Sequence, residues 1–351
     1  MKEPFVNITK DVLRLIAQID EFKGAWKAIG SLAPNRLNAL KKIATIESVG
    51  SSTRIEGVKL TDTEVEALLA GLDTHSFQSR DEEEVAGYAE AMNLIFDAFE
   101  QIALTENYIK QLHRILLQYS SKDVRHRGDY KKMPNHVEAF DRSGKSLGVI
   151  FETASPFETP MRMEALVNWT TRSLEQKDLH PLLVIAIFTV HFLAIHPFQD
   201  GNGRLSRVLT TMLLLQSGYL YVPYSSLEAV IEINKEGYYL ALRKTQSTLN
   251  KGDKNLVVWL LFFLNCMKKQ KDNLALKIEH ERLMIKLPEL SSRILKVVKD
   301  HGQAAISDIQ AITQANRNTI KVRLRELVED GYLLRQGKGK GTLYLPGQLK
   351  I

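Results

Sequence analysis

The chain has one cysteine, Cys266, among 351 residues. A single thiol cannot close an internal disulfide or build a Cys-rich zinc site, and it fits a reducing, cytoplasmic compartment. Membrane-length apolar runs are also lacking. The apolar stretch Leu182–Ile195 has fourteen residues, too few to span a bilayer and about right for a buried helix. The opening Met1-Lys2-Glu3-Pro4 shows no secretory pattern, and there are no internal repeats or low-complexity tracts. Charge of one sign is not in excess over most of the length. Lys and Arg number 47 against 41 Asp and Glu, a net of +6. From Ser291 onward eleven basic residues face five acidic ones, again +6, so residues 1–290 balance. The apolar fraction of 44% and charged fraction of 25% are those of a globular protein, long enough for two or three domains.

What is present is concentrated in residues 196–207, His-Pro-Phe-Gln-Asp-Gly-Asn-Gly-Arg-Leu-Ser-Arg. Pro197 drives the residue before it out of helical geometry, so His196 is expected at the end of the buried helix. A second helix is expected over Leu205–Gln216, stopped by Gly218. The glycines then lie in a loop opening a helix, where successive N–H groups form an anion-binding nest. Arg204 and Arg207, three apart, project from one side of the first turn, where a polyanion would relieve their conflict with the helix dipole. Asp200 is an oxygen ligand of the kind Mg²⁺ uses beside substrate phosphates. His196 is the nearby group able to accept a proton near neutral pH, and Phe198 reads as a packing anchor. Zinc fits poorly, because His191 and His196 are five apart rather than four. Each residue alone has an ordinary explanation; the ordered set points to a phosphate-bearing substrate.

Other segments say less by themselves. Ser51-Ser52-Thr53-Arg54-Ile55-Glu56-Gly57 reads as a helix ending at Gly57. Glu56 sits at the end where a carboxylate is unfavourable, a weak sign of a cationic partner elsewhere. Between Met133 and Phe157 the helical pattern lapses into alternation, a turn at Asp141–Lys145 and a β-prone run at Leu147–Phe151, which predicts a hairpin. After Asn273 a charged helix, Lys277–Lys286, leads to three helices and a hairpin: Ser291–Asp300, one capped by Ser307, one capped by Asn316 over Arg317–Asp330, then Leu333–Tyr344. That order looks like a winged helix-turn-helix. Its basic set, Arg317, Lys321, Arg323, Arg325, Arg335, Lys338 and Lys340, suits contact with a phosphate backbone, although such modules also dock proteins.

Residues 196–207 resemble the signature of the Fic family, His-x-Phe-x-Asp/Glu-Gly-Asn-Gly-Arg-x-x-Arg, at every fixed position. The resemblance implies transfer of AMP from ATP to a Ser, Thr or Tyr hydroxyl of a protein, with pyrophosphate leaving. Carried over by position, His196 deprotonates the hydroxyl and Asp200 holds Mg²⁺. Gly201, Asn202 and Gly203 receive the phosphates, and Arg204 and Arg207 clamp the triphosphate. Ser52-x-x-x-Glu56-Gly57 is similar to the family's inhibitory motif, which implies that Glu56 pairs with Arg207 in place of the γ-phosphate. The hairpin, residues 135–151, resembles the flap that docks a target's main chain. Arg127-Gly128-Asp129-Tyr130-Lys131 is similar to the family's Gly-x-Tyr-Arg segment, with Lys131 replacing arginine. Tyr238-Tyr239 resembles the segment near the adenine, with Tyr239 beside the base and Gln246 at its edge.

The expectation is a mainly α protein with a Fic-type helical core, a β-hairpin flap and a C-terminal winged helix-turn-helix. The boundaries expected are a helical region with the inhibitory motif over 1–100, the core over 101–268, a connecting helix over 269–288, and the winged domain over 289–351. The function expected is an autoinhibited protein adenylyltransferase using ATP and Mg²⁺. Its partners would be a target hydroxyl, with self-modification and homo-oligomers both compatible, and DNA at the C-terminal domain; no membrane is expected. The alternatives are AMP removal or another phosphoryl-type transfer on the same fold, or a DNA-binding regulator that senses nucleotide.

Overall fold

The computed structural model describes residues 6–29, 34–71, 77–140, 146–249, 255–337 and 339–347. The chain divides into two units, Met1–Asn273 and Leu274–Ile351. It is mainly helical, as expected. The first unit begins with α1 (Lys10–Ile29), α2 (Pro34–Ile55), α3 (Asp62–Ala70), α4 (Arg80–Ala98) and α5 (Glu106–Leu116). The hairpin β1 (His136–Phe140) and β2 (Ser146–Glu152) follows. Then come α6 (Thr159–Gln176), α7 (Pro181–Ile195), α8 (Asn202–Gln216), α9 (Leu227–Ile233), α10 (Lys235–Gln246) and α11 (Leu256–Lys286), whose last residues run past the division between units.

α7 is apolar on every side and is buried on every side: residues 182–190 are all buried. Each fully buried Leu, Ile, Val or Phe contributes about 1.5–3 kcal/mol, which makes α7 the axis of the unit. α6 and α8 pack on it, and Trp259 of α11 donates its indole N–H to the Ala186 carbonyl at 2.7 Å. α2 packs against α4, α8 and α9, so its C-terminal end reaches the start of α8. It stops where Gly57 takes φ 110°, a left-handed value that glycine adopts without steric cost. α8 was expected from Leu205 but starts three residues earlier, because Gly201 at φ 77° already turns the chain into the helix. In the hairpin, His136 opposes Glu152 and Phe140 opposes Ser146, antiparallel, with two irregularities between. The expected turn at Asp141–Lys145 lies outside the described residues.

The second unit contains α12 (Glu289–His301), β3 (Ala304–Ala305), α13 (Ile306–Thr313), α14 (Arg317–Glu329), β4 (Leu333–Gln336) and β5 (Leu343–Pro346). Ile294, Leu295, Val298, Ile309, Ile320 and Leu324 form its core. Asn316 caps α14 as expected, accepting from the Asn318 N–H at 2.9 Å. Ser307 does not cap α13; the cap is Ala305, two positions earlier, whose N–H donates to the Asp308 carboxylate at 3.0 Å. The hairpin gains a third strand, in the order β3-β5-β4, that two alanines could not announce. Lys338 lies outside the described residues. Among the described residues no helix is long and apolar enough to cross a membrane.

Candidate active site

α7 ends at Ile195, and His196 follows in the left-handed region, φ 52° and ψ 61°. For a residue with a Cβ this conformation costs about 1–2 kcal/mol, so the surroundings must hold it. The ring Nδ1 lies 3.3 Å from the Leu193 carbonyl. A proton on Nδ1 donated there leaves the lone pair on Nε2. Burial lowers the pKa to about 4; the Lys131 charge works in the same direction, while the Leu193 bond, Glu56 and Asp200 oppose it. The imidazole is therefore neutral at neutral pH and available as a base.

The loop after His196 is anchored from within. Phe198 is fully buried and stacks on His113, ring centroids 3.8 Å apart. His113 accepts from the Gly128 N–H at Nδ1, 2.8 Å, and faces the Asp200 carbonyl with Nε2, 3.0 Å. Asn202 is buried, and both ends of its amide are engaged by Phe198, at 2.9 Å to the N–H and 2.7 Å to the carbonyl. What Asn202 can offer an anion is thus its main chain. Gly201 requires its positive φ, and a Cβ there would meet Leu116 Cδ2 at 3.3 Å.

A cavity of about 730 Å³, large enough for a nucleotide, lies over this loop. His196, Asp200, the turn 201–203, Arg204, Tyr239, Gln246 and Glu56 all border it. The expected base, carboxylate, glycine turn and nucleoside residues are therefore brought together. Gln246 is buried, while Tyr239 is 40% exposed with its hydroxyl 3.5 Å from the Ile55 carbonyl.

The two arginines are not equivalent. Arg204 is buried, with Nη1 2.8 Å from Glu84 and Nη2 3.4 Å from Asp200. Arg80 binds Glu84 at 2.7 Å and reaches Asp200 at 3.3 Å. Burial raises the Asp200 pKa, but Arg204, the Gly201 N–H and Arg80 outweigh it and hold the carboxyl below its usual value. Among the described residues no group of three His, Cys, Asp or Glu could hold a metal ion. A metal at Asp200 would take its remaining ligands from substrate phosphates, as Mg²⁺ does.

Arg207 does not border the cavity, and Glu56 does. One carboxylate oxygen of Glu56 lies 2.8 Å from Arg207 Nη2. Ser52 completes the clasp, its hydroxyl 2.7 Å from Arg207 Nε and its carbonyl 2.8 Å from Nη2. Glu56 stands one residue past the end of α2, wrong for that dipole, and beside the first turn of α8, right for that one. A Cβ added to Gly203 would fall 2.1 Å from Glu56 Oε1, so this glycine admits the carboxylate. Gly203→Ala should lower the melting temperature, and should do so much less when Glu56 is already glycine. Thermal melts of the four proteins of the cycle check this; additive losses would show that the two positions are not coupled.

The sequence left several partners unseen. Arg54 chelates Glu232 of α9 at 2.7 and 3.0 Å and binds Asp62 at 2.9 Å, fixing the end of α2. Tyr238 is buried beside Arg207 and Glu56, and burial raises its pKa to about 12, so it stays a neutral hydroxyl. His113 and Glu84 belong to this group too. Tyr238 lies in the Tyr238-Tyr239 segment singled out in the sequence, without its partner Arg207; nothing local distinguishes Arg54, His113 or Glu84, which only the helix packing brings to the site.

Residues 103–214 match the Fic/DOC family. That stretch contains His196–Arg207 and leaves Ser52, Glu56, Tyr239 and Gln246 outside it. Among curated proteins, the protein adenylyltransferase Fic of Drosophila mojavensis is 27% identical over 271 residues, 75% of this chain and 49% of its own. That of Drosophila virilis is 28% identical over 266 residues, with the same coverage. The chain spans about half the length of these curated relatives. Among solved structures, a Fic family protein from Desulfovibrio desulfuricans G20 covers 99% of this chain and 98% of its own, with a TM-score of 0.62 at 23% identity. A Fic domain containing signaling protein from Bacteroides thetaiotaomicron VPI-5482 covers 75% and 96%, with a TM-score of 0.60 at 26% identity.

Proposed function

We propose that this chain, a member of the Fic/DOC family through residues 103–214, is a protein adenylyltransferase restrained by its own Glu56. The observation that carries the reading is the 2.8 Å pair between Glu56 and Arg207, set at the start of α8 and bordering the cavity of His196. His196 Nε2 takes the proton of a target hydroxyl. The hydroxyl oxygen bonds to the α-phosphorus of ATP, the bond to the β-phosphate oxygen breaks, and pyrophosphate leaves. Such a step depends on positioning and charge neutralisation. The N–H groups of Asn202 and Gly203 and the Arg204 guanidinium receive the phosphates, with the Gly201 N–H holding Asp200 in place; Tyr239 and Gln246 border the base, and the hairpin docks the target. Asp200 would hold Mg²⁺, which neutralises phosphate charge when bound. Arg207 receives the γ-phosphate once Glu56 leaves it, and Ser52 keeps Arg207 in place meanwhile.

Purified protein incubated with ATP labelled at the α-phosphorus should carry label, with a mass gain of one AMP. A different mass gain would replace adenylylation with another transfer. Release of AMP from pre-modified protein, without any uptake, would favour the removal reaction.

In the second unit, α14 leaves Arg317, Lys321 and Arg325 exposed at a spacing of four, along one flank of the buried Ile320, Leu324 and Leu327. This stripe fits a phosphate backbone. Random duplex DNA should be retarded in a gel at low salt and released as salt rises; no shift at low salt would sink the assignment.

A further inference from the structure

The left-handed turn at His196 needs an external hold, and the four carbonyls from Ile195 to Phe198 show what supplies it. Lys131 is only 3% exposed, although lysine is among the residues least often buried. Its Nζ donates to the Ile195 carbonyl at 3.1 Å, and its backbone N–H donates to the Pro197 carbonyl at 2.8 Å. Asn135 Nδ2 donates to the Phe198 carbonyl at 2.7 Å and reaches the His196 carbonyl at 3.5 Å. The two side chains are joined, Lys131 Nζ to Asn135 Oδ1 at 2.7 Å, and Lys131 Nζ also binds the Thr153 hydroxyl at 2.8 Å. Asn135 immediately precedes β1 and Thr153 immediately follows β2. One buried ammonium therefore connects both feet of the hairpin to the peptide groups flanking His196.

We propose that Lys131 and Asn135 are positioning residues that hold His196 in its left-handed conformation and tie that conformation to the hairpin. The inference rests on His196 being the base for transfer. It adds that the base is set from the hairpin side, by groups that touch neither nucleotide nor hydroxyl. Three hydrogen bonds of 3.1 Å or less offset the strain of the turn: one charge-assisted, from Lys131 Nζ to Ile195, and two from neutral amides, the Lys131 N–H to Pro197 and Asn135 Nδ2 to Phe198. The same ammonium stands near the imidazole and helps keep it neutral.

The test uses the full chain and two variants, Lys131→Met, which keeps length and loses the charge, and Asn135→Ala, which leaves a half-buried site. Amide hydrogen exchange over residues 193–199 should rise about tenfold or more in both, with the rest of the first unit unchanged. Lys131→Arg, which restores a cationic donor, should return exchange toward wild type. In a Glu56→Gly background, label transfer from α-labelled ATP should fall about 10- to 100-fold in kcat, with the KM for ATP within about twofold. Unchanged exchange in both variants overturns the proposal whatever the activity. Exchange that rises throughout the first unit, or that Lys131→Arg does not restore, also overturns it, since a general packing role then suffices. If exchange behaves as expected but Glu56→Gly transfers no label, the hold on His196 stands, and it is the adenylyltransferase reading that fails.

Discussion

Replacing Glu56 with glycine should raise AMP transfer to protein by about 10- to 100-fold, the range of one charge-assisted hydrogen bond of about 1.5–3 kcal/mol. The geometry sets this size. Arg207 is 5% exposed and Glu56 31%, so the pair is shielded but not sealed. In the proposed reading the carboxylate competes with a γ-phosphate for one guanidinium, and removing it would leave Arg207 with Ser52 and the neutral Tyr238 hydroxyl as neighbours, neither of them an anion. The same change should therefore lower the melting temperature of the nucleotide-free protein, because a buried charge loses its partner. Saturating ATP should recover more stability in Glu56→Gly than in the wild type, since the nucleotide then supplies the missing anion. Label incorporation and thermal melts, each with and without ATP, check both parts. Equal incorporation by wild type and variant would mean that Glu56 does not restrain transfer.

Replacing His196 with alanine should reduce transfer by about 10²- to 10⁴-fold, the usual contribution of a positioned base, while ATP binding in the Glu56→Gly background persists. The pH dependence follows from the same ring. Its pKa is lowered to about 4, so the neutral, competent form prevails above that value and is lost as pH falls through it. Transfer should stay level on its acid side from about pH 8 to about pH 6 and decline only toward about pH 4. The groups around the ring pull in both directions: Lys131 favours the neutral form, and Glu56 and Asp200 the charged one. Removing Glu56 thus cannot raise this limb. An acid limb centred near 6.5, the ordinary value, would mean that the base is not held in the dry setting described here.

The parts of the site that could be read in advance are those whose signal is local. Pro197 after an apolar run placed His196 at a helix end. Two glycines around Asn202 announced a turn into a helix. The awkward position of Glu56 at the close of α2 pointed to a distant cation, which is Arg207. The parts that could not be read are those made by packing. Glu84 in the second turn of α4 looks like any helical glutamate until Arg204 is found beside it. His113 looks like a histidine on an amphipathic helix until Phe198 stacks on it. Lys131 stood out only as a departure from a pattern, and its role depends on the feet of a hairpin closing beside the loop. The fold was legible for a similar reason, because α7 and α14 carry their burial pattern in their own residues. β3, two residues long, owes its existence to β5.

Glu56 lies beyond the last residue of α2 and next to Gly57, while Arg54 keeps the helix end anchored to α9. The carboxylate can therefore leave Arg207 by turning about its own side-chain bonds, with no helix unwound and no domain moved. Motions of that kind are complete in nanoseconds, whereas helix rearrangements take microseconds or longer. The restraint proposed for Glu56 would then be a rapid equilibrium that each arriving nucleotide samples afresh. Progress curves should then show no lag, and added ATP should diminish the inhibition.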